Sequence, residues 1–282
     1  MSFLAIIVAL VLVQIWGSGS RVQHDKWFRD WQQRVGSWGV GPPVKLALVI
    51  LLPAVLVQII LNILQPALFG LLWIAMAAAL LLYSFGRRDF HNLLEHYRQQ
   101  CRSGDFEGAY LGTLSELGWI TVRDDPVSPQ EVHAMVQRGF LYEGYQRWFA
   151  VLFYFLLLGP AGALGYRLLQ MCQHDFETEF AKRCIFVIDW VPARLVAAAF
   201  ALTGNFVSSR DELLGGLLDT SVDASELLYT VGTAALGSVS EDSLDELAFG
   251  RVAAEENEAI GSLLSRSAVA WVGVIAIAVV LL

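Results

Sequence analysis

Asp189 and Arg194 stand five residues apart inside the apolar run Cys184 to Thr203, with Trp190 and Pro192 between them. Arg167 follows Tyr166 at the end of a second, equally apolar stretch. A charge surrounded by hydrocarbon is costly, so each of these groups must meet a partner or a watery cavity. Two chemistries satisfy that demand. In the first the charges neutralise one another, Asp189 pairing with Arg194 across the Pro192 break or with Arg167 on the other run. In the second the break at Pro192 frees backbone groups, and Arg167, Asp189 and Arg194, with Tyr166 and Trp190, border a polar pocket for a small anionic or polar ligand. The residues leave both open.

The elements that must position these groups are membrane helices. Hydrophobic residues make up 56% of the 282, the mean hydropathy is +0.53 and charged residues are only 16%, so lipid is part of the solvent this chain requires. The apolar residues fall into six runs: Met1 to about Gly17, Val44 to Leu64, Pro66 to Phe85, Trp148 to Gly165, Cys184 to Thr203, and Ala268 to Leu282. The first has no A-x-A-like cleavage site and reads as a retained, short span. The second and third form a tight hairpin, with Pro53 kinking one helix and Pro66 in the first turn of the other. In the fourth, WFAVLFYFLLLGPAGALG, the Gly159-Pro160 step divides a bulky half from a small-residue half, where Gly162 allows close approach of another helix. The last run, about fifteen residues, is barely long enough to cross. The fold class expected is an all-α membrane bundle of about 4-6 transmembrane or re-entrant helices.

Arginine placement orients the bundle. Arg21, Lys26, Arg29 and Arg34 lie among Trp27, Phe28, Trp31 and Trp38, the pattern of an interfacial amphipathic helix on the cytoplasmic face. Residues 86–147 carry seven arginines and read as a cytoplasmic helical insertion, broken by a loop around Asp124-Asp125-Pro126. Residues 205–265 hold twelve acids against Arg210 and Arg251, more negative than the whole chain's −8, and read as an acidic cytoplasmic segment. Such a surface repels nucleic acid and suits a protein partner. Leu213, Leu214, Leu217 and Leu218, then Leu244, Leu247 and Ala248, mark short amphipathic helices in it.

Reactive motifs are few. There is no G-x-x-x-x-G-K-[ST] phosphate loop, no G-x-S-x-G elbow and no H-E-x-x-H pair. Cys101, Cys172 and Cys184 lack metal or disulfide spacing. His91 and His96, five apart, face apart on a helix, and His133 with Glu131 and Asp125 makes a weak triplet. No cofactor, metal site or catalytic residue is expected.

The blocks GPAGALGYR (159–167) and DWVPARL (189–195) resemble the membrane family that joins cobalamin-biosynthesis amide synthases of the CobD/CbiB type with the AmpE regulators, and the hydropathy profile is similar to the AmpE branch. The resemblance implies a multi-pass protein of the bacterial inner membrane, tied to β-lactamase induction and peptidoglycan recycling, with a muropeptide-like molecule as a candidate ligand. The synthases carry an E-x-x-A-E-N-x-x-D-G-type stretch where this chain reads RGFLYEGYQRWFAVLFYF, and a G-D-P motif after the first span where it reads QIWGSGSR. Amide synthesis with ATP needs such acids for magnesium and for activating the amine. The expectation is therefore a non-catalytic regulatory or sensory protein. The alternatives are a membrane-embedded synthase in which Glu143, Asp189 and Asp124 or Asp125 converge, and a transporter or ligand binder using Arg167 and Arg194.

Overall fold

The structure is a computed structural model that describes residues 2–16, 23–86, 90–117, 128–237 and 246–281. Every regular element among them is helical. The helices are α1 (Ser2–Trp16), α2 (Lys26–Gly36), α3 (Pro42–Leu64), α4 (Leu71–Ser84), α5 (Phe90–Ser103), α6 (Phe106–Leu117), α7 (Pro129–Gly144), α8 (Ala150–Asp175), α9 (Thr178–Thr203), α10 (Phe206–Leu217), α11 (Ala224–Leu236) and α12 (Glu246–Leu281). The segments Pro42–Leu64, Pro129–Gln173, Thr178–Thr203 and Ala248–Ile277 are long and apolar enough to cross a bilayer, and Ser2–Ile15 and Leu71–Ser84 are shorter apolar helices. The loop around Asp124 and Asp125 lies outside the described residues.

Helix starts follow local chemistry. Pro42 and Pro43 open α3, where a missing N–H costs nothing. Ser128 caps α7 by accepting from the Glu131 N–H, and Asp223 caps α11 by accepting from the Glu226 N–H. Two run boundaries differ from the hydropathy reading. Pro66 sits in a turn followed by a 3-10 turn, Ala67–Gly70, and α4 begins at Leu71. The apolar run at the C-terminus is the end of the 36-residue α12, which starts in the acidic segment because no proline interrupts it.

The chain divides into two compact units. Unit 1 is Met1–Arg88, Gln146–Asp189 and Ile275–Leu282. Here α3 and α4 pack on α8, and α1 packs on α4. The amphipathic α2 buries Phe28 and Val35 against Val49 of α3, Leu164 and Leu168 of α8 and Ile185 of α9, while Trp27 stays largely exposed. Gln23, in the segment before α2, donates to the carbonyls of Leu82 and Phe85, satisfying the end of α4.

Unit 2 is Asp89–Tyr145 and Trp190–Val274. In it α6 packs on α5 and α7, and α11 packs on α7 and α10. Arg138 of α7 pairs with Glu226 and covers the Tyr229 ring of α11.

Candidate functional site

The site begins with a reversal inside α8. Gly159 has φ 74 and ψ −168, outside the helical region, and Pro160 follows it. An uninterrupted helix would place residues twelve apart about 18 Å from each other and residues twenty-four apart about 36 Å. Instead the rings of Tyr154 and Tyr166 stack with centroids 5.2 Å apart. Likewise the Gln170 amide donates to Gln146 Oε1 at 2.7 Å. The fourth apolar run is therefore a helical hairpin turning at Gly159, not one straight crossing. Only glycine takes the left-handed φ at the tip without strain. Gly162 is needed for a different reason: a Cβ there would lie 2.7 Å from the Tyr154 carbonyl oxygen of the opposite arm.

The hairpin brings two tyrosines to α9. Tyr166 donates its hydroxyl to Asp189 Oδ1 at 2.9 Å, and Asp189 is completely buried. Tyr154 donates to the Ile188 carbonyl at 2.8 Å. That carbonyl lies four residues before Pro192, which has no N–H to give it, so the tyrosine hydroxyl fills a place the α9 backbone leaves open.

Each arginine has acceptors of its own. Arg167, buried, donates to Gln170 Oε1, which extends the relay to Gln146. Arg194 lies in unit 2 and Asp189 in unit 1. The Arg194 guanidinium donates to the carbonyls of Trp190, Leu217 and Asp219 and stacks 4.2 Å from the Trp190 ring. It thereby closes the C-terminal end of α10, where helix carbonyls lack partners. Asp219 turns its own carboxylate to the hydroxyl and N–H of Ser221, which holds its pKa below the usual carboxylate value.

A groove of about 640 Å³ opens beside the tyrosines. Ile50 and Val55 of α3, Leu158 and Gly162 of α8 and Cys184 of α9 form apolar walls, and Tyr154 and Tyr166 line it. The rim is exposed at Val55 and Leu158. All of these residues belong to unit 1, so the groove, the hairpin and Asp189 form one constellation. The groove is lined almost entirely by apolar surface, with the Tyr154 and Tyr166 side chains among its walls.

A second polar cluster lies in unit 2, and local sequence could not reveal it. His133 is buried, with Nδ1 2.8 Å from the Tyr97 hydroxyl and Nε2 2.9 Å from Glu256 Oε2. Gln137 also donates to Glu256 Oε2, at 2.8 Å. Gln137 Nε2 also lies 2.8 Å from His133 Nε2, so the imidazole is held on three sides. Burial raises the Tyr97 pKa well above its ordinary value and pushes the Cys101 thiol up to about 11. His133 thus finds partners on α5 and α12, not in the nearby Glu131, while Asp125 lies outside the described residues.

With this geometry in place, comparison with known proteins is informative. No solved structure matches the chain. "Cobalamin biosynthesis protein CobD" of Chromobacterium violaceum is 30% identical over 145 residues, which cover 48% of this chain and 45% of that protein, so the match spans less than half the relative's length. The family described as "Regulatory signalling modulator protein AmpE" matches residues 1–278, and the chain belongs to the AmpE family of regulatory membrane proteins.

Proposed function

We propose that this protein is a non-catalytic sensor of the bacterial inner membrane that takes part in β-lactamase induction by responding to a product of peptidoglycan recycling. The observation that carries the reading is the coupling of Asp189 to Tyr166 beside an apolar groove on the α8 hairpin. A ligand with an apolar portion fills the groove, and a hydrogen-bonding group on it competes for the hydroxyls of Tyr154 and Tyr166. Removing those hydroxyls from Ile188 and Asp189 loosens the hairpin from α9, which converts occupancy into a change of helix packing. Residues 86–147 and 205–265 then face the cytoplasm, the acidic second segment offering a surface to a protein partner.

The family membership supports a regulatory role, and the missing synthase-type acids argue against the reaction of the CobD branch. The test uses purified full-length protein in detergent with two readouts. A muropeptide raises the melting temperature of the wild type and not of Tyr166→Phe, and magnesium-ATP is not consumed. ATP turnover lost in Glu143→Gln would favour instead the amide-synthase reading, whose specific support is the partial CobD match.

A further inference from the structure

Among the described residues, helix α10 buries one side and leaves a broad apolar arc exposed. Ser209 and Leu213 are buried, on the side that packs against α11. Phe206, Val207, Leu214 and the capping Leu218 are 47%, 86%, 54% and 86% exposed. At about 100° per residue these four side chains fall within an arc of about 120°, with Arg210 inside it. Ser208, Asp211, Glu212 and Gly215 occupy the remaining exposed arc. A solvated helix would not gather its apolar residues on a face away from its core.

The position of α10 indicates what covers that face. The helix follows α9 after Gly204 and Asn205 and doubles back: Asn205 N–H donates to the Ala235 carbonyl at one end, and Arg194, nine residues before the end of α9, meets the Leu217 and Asp219 carbonyls at the other. It therefore runs beside the part of α9 that belongs to a candidate span. Along that stretch α9 itself exposes one apolar stripe, Val191, Leu195 and Leu202, with Leu202 73% exposed. Over the same length, then, α9 and α10 both expose apolar side chains.

We infer that α10 is embedded in the bilayer along its Phe206, Val207, Leu214 and Leu218 face, and that its Glu212 and Gly215 side meets water. Charge placement fits a lipid interface. The single charge within the apolar arc is Arg210, whose long stem can lie along acyl chains while the guanidinium reaches a phosphate headgroup. Glu212 lies about 120° beyond the arc, and Asp211 sits at its boundary, about 20° past Leu218, where a headgroup layer accepts a charge. The acidic segment 205–265 is then tied to the membrane at its first helix, a geometry that goes beyond the sensor reading and does not depend on it.

The test places an environment-sensitive fluorophore on single cysteines at positions 207, 214 and 218, and at 212 and 215, in full-length protein with Cys101, Cys172 and Cys184 replaced by serine. In vesicles containing brominated phosphatidylcholine, labels at 207, 214 and 218 should lose most of their emission, while those at 212 and 215 should respond to aqueous iodide. Equal behaviour of the two faces would overturn the inference. Because the cysteine-free background can fail to fold, a photo-crosslinking phenylalanine analogue at Leu214 or Leu218 of the otherwise native chain provides an independent reading. Phospholipid adducts support bilayer contact, and cross-links formed only to protein, including a second copy of this chain, would refute it.

Discussion

The hydroxyl of Tyr154 donates to the carbonyl of Ile188 at 2.8 Å, and that carbonyl is the one Pro192 leaves without a backbone donor. Helix α9 runs unbroken through Pro192, and a proline inside a membrane helix needs such a donor, because there is no water in hydrocarbon to replace the missing N–H. Tyr154→Phe should therefore destabilise the protein by about 1–2 kcal/mol, the cost of leaving a buried acceptor unpaired. In a Pro192→Ala background, where the alanine N–H reaches the same carbonyl, the loss should shrink. Thermal melts of the four-member cycle measure the coupling.

Two glycines of the hairpin should respond differently to alanine. At Gly159 a Cβ meets nothing within 4 Å, so the cost is that of the backbone conformation alone, φ 74 and ψ −168, on the order of 1–3 kcal/mol. At Gly162 a Cβ lies 2.7 Å from the Tyr154 oxygen and 2.4 Å from the Leu158 Cβ, so the two arms must separate. Gly162→Ala should lower the melting temperature more than Gly159→Ala, and it should also weaken the Tyr154–Tyr166 ring contact, readable by tyrosine fluorescence in a tryptophan-poor background.

Arg194 and Asp189 have different acceptors and donors, and their substitutions should reflect that. Arg194→Gln removes the donors at the end of α10 and should cost about 1–2 kcal/mol. Asp189→Asn acts on the Tyr166 contact in the hairpin. The double variant should lose the sum of the two effects. Recovery of stability in the double variant would instead show the two residues acting as an ion pair.

Alkaline pH should weaken the α5 region through Cys101. Its thiol pKa rises from an ordinary 9.0 to about 11 because burial disfavours the thiolate. The folded pKa is the higher one, so the contribution is fully present below pH 9.0 and is lost as pH climbs to about 11. The full difference is on the order of 2–3 kcal/mol. Denaturation at pH 8 and pH 10.5, compared with Cys101→Ala, measures it: the variant should show a smaller alkaline loss, with Tyr97 providing the remainder.

The charged pattern of run five is legible from composition, because a carboxylate amid FVIDWV requires a partner wherever the chain places it. Which partner it takes is not legible. Tyr166 reaches Asp189 only because α8 reverses at Gly159, and hydropathy averages that reversal into one continuous apolar run. The Gly-Pro step was the available signal, and it marks a division without giving its angle. Arg194 and Asp189 are close in sequence, whereas Arg194 meets the carbonyls of Leu217 and Asp219 at the end of a helix that folds back. The His133 cluster was out of reach for the same reason: Tyr97 and Glu256 lie 36 and 123 residues away, so no local spacing announces them.

The central claim is that the Tyr166–Asp189 contact beside the groove serves regulation and not folding alone. Its most direct measurement is β-lactamase induction in a strain lacking this protein, complemented with wild type, Tyr166→Phe or Asp189→Asn, with membrane abundance matched by immunoblot. Both variants should accumulate in the membrane and fail to restore the wild-type induction response. Full induction by either variant at matched abundance would contradict it.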